Sequence, residues 1–426
     1  RGESAGMEAY IENARSFLGI FFVLLLAWGV SSSRRTVPYR TVCVALIIQA
    51  GIGVLVFTVP GLQDGLASVT GVVGALQAAT LEGTQFAFGH LAGGAAPYDV
   101  TQPANSFIIV FQVLPMILVV STLAAITWHW GILESICRGI GFLFKRVLNL
   151  SGPAGLGAAA SVFLGMVETP MVIRPYLNRL SRADVLLVMS AAMATVAGTM
   201  MAVYIALLLP RVPDAGAHII AASFMSAPGA IAITRILEPP EQGARQFEEQ
   251  KLPKFYQSTM DAFIRGVQEG LNVFLSVIAM IIVSVAIIAL IDNTLAAFAP
   301  MVGGEALSAG RILGWVFSPI MFAIGIPWAD CPEAGRLLAT KLMLNEFLAF
   351  LDLVGIPEGA IEPRSRLIMI YVLCGFANFA ALAIMIGGMS AMCPDRRDDF
   401  MQLGLKALLG GFLANTMSGA IVGTLF

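Results

Sequence analysis

The sequence predicts an all-α polytopic membrane protein, with eight transmembrane helices and two opposed re-entrant hairpins related as an inverted repeat. Three observations carry that reading. Hydrophobic residues make up 58% of the chain and charged ones 12%, with a mean hydropathy of +0.83, whereas a soluble domain is about a quarter charged. Apolar windows long enough to cross a hydrocarbon core recur along the chain. Two acids, Glu168 and Glu346, lie inside apolar runs next to helix-breaking or polar neighbours, where a carboxylate costs roughly 2.5 to 3.5 kcal/mol on insertion scales. Such acids normally face a wet cavity, which makes the chain a candidate for moving a polar solute across a membrane.

Residues 1–6 read as an expression remnant ahead of Met7, and residues 7–104 as N-terminal spans with an interfacial segment. The first apolar run, Phe17 to Val30, is followed by Arg34 and Arg35 instead of a small-residue cleavage site, so it reads as a retained span and not a signal peptide. Full spans are expected at 16–32, 41–59, 105–127, 183–209, 216–237, 262–291, 366–390 and 403–425. Residues 71–93, rich in Gly and Ala with Phe86, Phe88 and His90, suit an interfacial helix on the outer side; residues 132–149, amphipathic with Arg138, Lys145 and Arg146, suit the inner surface. Two more apolar segments are interrupted: 153–178 at Gly165–Pro170, and 310–353 at Gly325–Pro332. They suit re-entrant hairpins, because broken backbone at membrane depth is allowed only where protein or a cavity satisfies it.

Two matched regions follow. Residues 105–237 hold a span, the first hairpin and a fourth span interrupted at Thr195–Thr199, and residues 262–426 hold a span, the second hairpin, a seventh span interrupted at Cys374–Asn378 and a last span; residues 238–261 form a polar cytoplasmic loop between them. Gly alone would signify only close helix packing. Breaks, acids and hairpins that coincide twice point instead to an inverted-repeat transporter with its site at the midplane. With the amino terminus outside, Arg34, Arg35, Arg40, Arg138, Lys145, Arg146, Arg174, Arg179, Arg182, Arg396 and Arg397 all fall on the cytoplasmic side, as the positive-inside rule asks.

Other function classes find little support. No basic block suggests nucleic acid. The five cysteines lack Cys-x-x-Cys spacing and the three histidines form no His-Glu-x-x-His, so neither a disulfide framework nor a zinc site is indicated. An intramembrane enzyme would need a nucleophile and base or metal ligands. A passive channel would want rings of polar residues along a path, and stays the alternative.

At the first hairpin, Glu168-Thr169-Pro170 suits a helix start whose free amides point into a cavity; the bland alternative is an internal pair with Arg174 or a cap. At the second, Lys341 and Asn345 are four apart and share a face, Glu346 lies one step round, and Lys341 is expected to compensate an acid or cap a carbonyl. Asn378 offers a donor and an acceptor, which suits a ligand with hydroxyls or a helix-helix bond.

These residues resemble the concentrative nucleoside transporters, a family of cation-coupled symporters. The resemblance covers nearly the whole chain and is most specific in the carboxyl half: Gly-x-Pro-Trp-x-Asp, Ala339-x-Lys341-x-x-x-Asn345-Glu346-Phe-Leu-Ala-Phe350, Cys374-Gly-Phe-Ala-Asn378, and Gln402-Leu-Gly-Leu-Lys-Ala-Leu408 with Asn415 and Ser418. It implies a homotrimer in which both hairpins and both broken spans slide as an elevator against scaffold helices. It makes Glu346 and Asn378 the ribose-binding pair, with Phe376 beside the sugar and Glu168 toward the nucleobase; Met200 is counted in the same set. The chain departs from the family where Gly-Gln-Ser/Thr-Glu becomes Gly165-Met166-Val167-Glu168, and where a sugar-directed serine becomes Ala381. Loss of an amide and a hydroxyl predicts relaxed or altered base selectivity, since apolar walls discriminate weakly.

For the coupling cation, the resemblance implies a sodium site at Ser161, Leu164, Thr195 and Val196, with Ser161 where sodium-using relatives commonly carry Asn. The thinner ligand set leaves H+ or Na+ open and leans toward protons, carried through Glu168 or Glu346. No other cofactor is expected. The expected function is import of nucleosides or nucleoside-like solutes across a bacterial inner membrane, with a non-nucleoside polar solute on the same fold as the alternative.

Overall fold

The computed structural model describes residues 2–99, 101, 106–240, 254–298 and 307–426, and among them the regular elements are all helical. Most of the expected cytoplasmic loop, residues 241–253, lies outside that set. The amino-terminal part consists of α1 (Gly2–Gly29), α2 (Tyr39–Thr58) and α3 (Pro60–Phe88). α3 starts with Pro60 in its first turn, where the missing N–H costs nothing. It is longer than the interfacial segment expected at 71–93, and a short 3-10 turn, Gly89–Ala92, completes it.

Two repeats follow in the same order of elements. The first comprises α4 (Ile109–Gln112) and α5 (Met116–His129), α6 (Ile132–Leu148), α7 (Gly152–Ala160), α8 (Glu168–Val172), α9 (Arg182–Ala194), α10 (Gly198–Leu208) and α11 (Ala215–Leu237). The second comprises α12 (Thr259–Phe298), α13 (Ala309–Ala323), α14 (Cys331–Met343), α15 (Glu346–Gly355), α16 (Pro363–Leu373), α17 (Phe379–Met392) and α18 (Arg397–Leu425). Seven helical stretches among the described residues are long and apolar enough to cross a membrane. The eighth span is α16 with α17, interrupted at Cys374–Asn378 and so too short in either piece to count alone.

Each hairpin packs against a preceding helix through glycines. A Cβ on Gly155 of α7 would meet the Gly141 carbonyl of α6 at 2.9 Å, and one on Gly335 of α14 would meet the Gly314 carbonyl of α13 at 2.3 Å. Small residues let the backbones approach this closely, and their equivalence is a structural trace of the repeat. The chain turns from α6 into α7 through Asn149, at φ 52° in the left-handed region that Asn tolerates.

The second hairpin differs from expectation in its boundaries. Gly325–Pro332, the expected break of the 310–353 segment, is the corner between α13 and α14, whereas the reversal that carries Glu346 lies at Leu344–Asn345. The Arg336–Asp352 ion pair, at 2.8 Å, ties α14 to α15 across it. Gly325 sits at φ 104°, so Gly and Pro mark a turn here that is not the hairpin tip. α18 is the common spine, packing on α1, α9, α11 and α16, while α5 and α12 pack on each other.

Candidate functional site

Four interruptions of helix meet at one place. The first hairpin is broken between Ala160 and Glu168, the fourth span between Ala194 and Gly198, the second hairpin between Met343 and Glu346, and the seventh span between Leu373 and Phe379. Each new helix therefore begins in the interior, with amide groups that lack intrahelical partners. Two asparagines meet part of that need. Asn345 caps α15, its Oδ1 accepting from Leu348 N at 2.9 Å, and Asn378 caps α17, its Oδ1 accepting from Ala381 N at 2.7 Å.

Glu346 is the first residue of α15, where the helix dipole favours a negative group. Its carboxylate is buried and accepts from the Tyr204 hydroxyl at 2.7 Å and from Asn378 Nδ2 at 2.9 Å. A carboxylate has about four lone-pair positions and an amide two N–H donors, so both groups keep capacity toward a ligand. Tyr204 itself is fixed by Phe350, with ring centroids 4.8 Å apart. Its role was not legible beforehand, because a tyrosine inside an apolar run reads as core; the usable signal is that a buried phenol normally finds a partner.

Glu168, the first residue of α8, lines the cavity and Arg174 does not. It folds back over Gly165, where an added Cβ would meet its Oε2 at 2.3 Å, so a larger residue there would displace the carboxylate. A cavity of about 390 Å³ is lined by Glu168 and Glu346 together with Gly165, Met166, Val167, Leu164, Met200, Phe376, Asn378 and Ala381. All nine substrate-set residues named from the sequence thus border one space. Residues that were not singled out border it too: Thr199, Trp128 of α5, Phe255 and Tyr256 before α12, and Arg265, Glu269, Asn272 and Ser276 of α12.

Of the residues tied to a sodium site, Leu164 lines the cavity, while Ser161, Thr195 and Val196 are buried beside it. There the first hairpin docks on the fourth span: the Thr195 hydroxyl donates to the Ser161 carbonyl at 2.6 Å, and Gly198 N donates to the Phe163 carbonyl at 3.0 Å. Ser161 Oγ donates to the Ala158 carbonyl at 2.8 Å, and Ser223 Oγ lies 3.4 Å from Val196 N.

Lys341 points away from the cavity. Its ammonium, fully buried, donates to the Val372 carbonyl at 2.7 Å and to Asn415 Oδ1 at 2.9 Å. Asn415 Nδ2 in turn donates to the carbonyls of Ala194 and Cys374, both at 2.7 Å, with Ser226 Oγ 3.0 Å away. One asparagine of α18 thereby joins the broken ends of α9 and α16. Gly375 makes the junction possible, since a Cβ there would meet the Ala194 carbonyl and Asn415 Oδ1, each at 2.4 Å.

Three family profiles match the chain: Na+ dependent nucleoside transporter N-terminus over residues 18–91, nucleoside recognition over 110–211, and Na+ dependent nucleoside transporter C-terminus over 218–423. The nucleoside permease NupC of Helicobacter pylori is 33% identical over 412 residues, 96% of either chain. Sodium/nucleoside cotransporter 1 of Mus musculus is 30% identical over 97% of this chain and 64% of its own length. Among solved structures, CNTnw in an inward-facing substrate-bound state superposes with a TM-score of 0.87 at 33% identity, covering 96% of this chain and 97% of that one. CNTnw in an outward-facing state gives 0.86 at 32% identity over 97% of both. The likeness spans different states of one elevator-type fold, and the matched relatives are carriers and not enzymes. With one acid buried, a second half-buried and broken helices gathered at one cavity, and with profiles that together cover most of its length, the chain belongs to the Na+ dependent nucleoside transporter family.

Proposed function

We propose that the protein is a symporter that imports nucleosides across the bacterial inner membrane, working as a homotrimer and drawing on the proton gradient. The observation that carries this reading is the Glu346–Asn378 pair, a carboxylate and an amide at two interior helix starts, braced by Tyr204 and open to a cavity of about 390 Å³. Paired acceptors and donors suit the vicinal hydroxyls of a ribose, with Phe376 supplying an apolar face beside the sugar. Glu168 then lies toward the base, flanked by Met166, a polarisable side chain able to rest against an aromatic ring. Because Met166 and Val167 offer the base no hydrogen bond, purines and pyrimidines are accepted with similar affinity.

Two observations favour protons over sodium. The Thr195 hydroxyl and the Ser161 carbonyl, two oxygens that a sodium ion would draw on, are partly engaged with each other at 2.6 Å. Glu168 borders the cavity with no ion pair to a described residue, and acids so placed act in proton relays. A non-nucleoside solute on the same fold is the second reading, favoured by the apolar lining at Met166 and Val167.

The test is uptake of labelled uridine and adenosine into proteoliposomes. An inward proton gradient should drive accumulation in the absence of sodium, uridine and adenosine should compete within about tenfold, and Glu346→Gln should abolish both. Accumulation that follows a sodium gradient at clamped pH would reverse the choice of ion. Uptake of free ribose equal to that of uridine would overturn the nucleoside assignment.

A further inference from the structure

A polar stripe runs along α12, a mostly apolar helix. Arg265, Glu269, Asn272 and Ser276 are spaced four, three and four residues apart, which puts them on one helical face, and all four line the cavity that contains Glu346 and Glu168. The helix meets α5 through an adjacent face, where a Cβ on Gly266 would lie 2.7 Å from Thr122 Cα and one on Gly270 3.0 Å from Leu118 Cα. Ionisable groups within a span normally face a wet path or a partner.

Two of the four are already engaged. Arg265 Nε donates to Asp261 at 2.9 Å, and the Ser276 hydroxyl returns to the Asn272 carbonyl at 2.7 Å. Glu269 and Asn272 are not: the carboxylate has one long contact, from the Tyr256 hydroxyl at 3.4 Å, and the Asn272 side-chain amide bonds none of the described residues. Tyr256 lies in the short segment ahead of α12, next to Phe255, whose ring stands 5.6 Å from that of Trp128. Burial, reinforced by the charges of Glu269 and Glu168, pushes the Tyr256 pKa up and keeps its hydroxyl a neutral donor.

We propose that Glu269, Asn272 and Tyr256 form a second binding station for the nucleoside, on the cytoplasmic side of the Glu346–Asn378 pair, which the solute occupies as it leaves. The proposal rests on the nucleoside reading above. An anionic acceptor, an amide that both donates and accepts, and a phenol with an aromatic face together fit a hydroxylated sugar joined to a planar ring. The station stands on α12 and the segment before it, whereas Glu346, Asn378 and Glu168 stand on the hairpins and a broken span. Elevator movement therefore brings the two sets into one cavity in one state and parts them in the other. The Trp128 end of the cavity adjoins α6, whose Arg138, Lys145 and Arg146 assign that end to the cytoplasm.

Proteoliposomes of defined orientation test this through the uridine KM read separately from each face. Glu269→Gln and Asn272→Leu should each raise the cytoplasmic-face KM five- to tenfold and leave the outer-face KM within twofold, an asymmetry that general damage to the fold does not produce. Glu346→Gln should abolish transport from both faces. A cytoplasmic KM within twofold of wild type in both variants, or equal shifts on both faces, refutes the station while leaving the nucleoside reading intact. Failure of the wild-type protein to carry uridine from either face overturns that reading and the station with it.

Discussion

Glu346 depends on two neighbours for its orientation. Tyr204 donates to one oxygen and Asn378 to the other, and a hydrogen bond to a charged group contributes about 1.5 to 3 kcal/mol. Tyr204→Phe keeps the ring against Phe350 and removes only the donor. Isothermal titration should give a uridine Kd raised roughly tenfold or more, and a Kd within twofold of wild type would mean the carboxylate is held without the phenol. At this scale the sequence was informative where a residue type conflicted with its surroundings. Glu168 and Glu346 stand out because an acid in an apolar run needs a reason. Tyr204 does not, and its partner lies 142 positions along the chain. Lys341 was legible only as a choice between an acid and a carbonyl; the fold selects the Val372 carbonyl and the side chain of Asn415.

Among the elements, long spans were readable from hydropathy and hairpin tips were not. Gly325, Pro327 and Pro332 look like a tip because they break helix, yet they form a corner between two packed helices, whereas the tip at Leu344–Asn345 contains neither Gly nor Pro. Its signature is Asn345 as a cap with Glu346 in the first turn of α15, a pattern that hydropathy ignores. Asn345→Ala removes the cap, and thermal unfolding in detergent should show a loss of about 1 kcal/mol; an unchanged midpoint would assign the start of α15 to packing alone. The polar face of α12 was legible in principle, since four polar residues at helical spacing interrupt an apolar span. The overall length of that apolar window conceals them.

Across the whole molecule, ties between distant segments set stability. At one end of the molecule Glu238, just past α11, accepts from Lys406 of α18 at 2.9 Å and from Ser32 of the α1–α2 link. Burial pushes its pKa up, but the hydrogen bonds from Ser32 and Lys406 and the charges of Lys406 and Arg182 outweigh burial and hold it below the usual carboxylate value. A group more acidic in the folded state contributes stability that is fully present above its unfolded pKa of about 4.3 and is lost as pH falls through the folded pKa. Unfolding midpoints followed from neutral to acid pH should therefore decline more steeply below about pH 4.3 in wild type than in Glu238→Gln, and parallel curves would remove Glu238 from the acid response. At the centre, Asn415→Leu strands the carbonyls of Ala194 and Cys374, each orphaned group costing about 1 to 3 kcal/mol, and leaves the Lys341 ammonium with the Val372 carbonyl alone. Size-exclusion chromatography should show little folded protein, and recovery at wild-type levels would mean that the junction is redundant.

That junction also limits how the carrier can move. Both interrupted spans and the lysine of the second hairpin are gathered on one amide of α18, and the first hairpin is fastened to the fourth span by Thr195 and Gly198. A push on any one of these parts is handed on to all of them, so the gates on the two sides of the bilayer have no independent travel. A compound wedged beneath a single hairpin from the outer water would arrest the inner door as well, and resistance to it would arise far from where it sits.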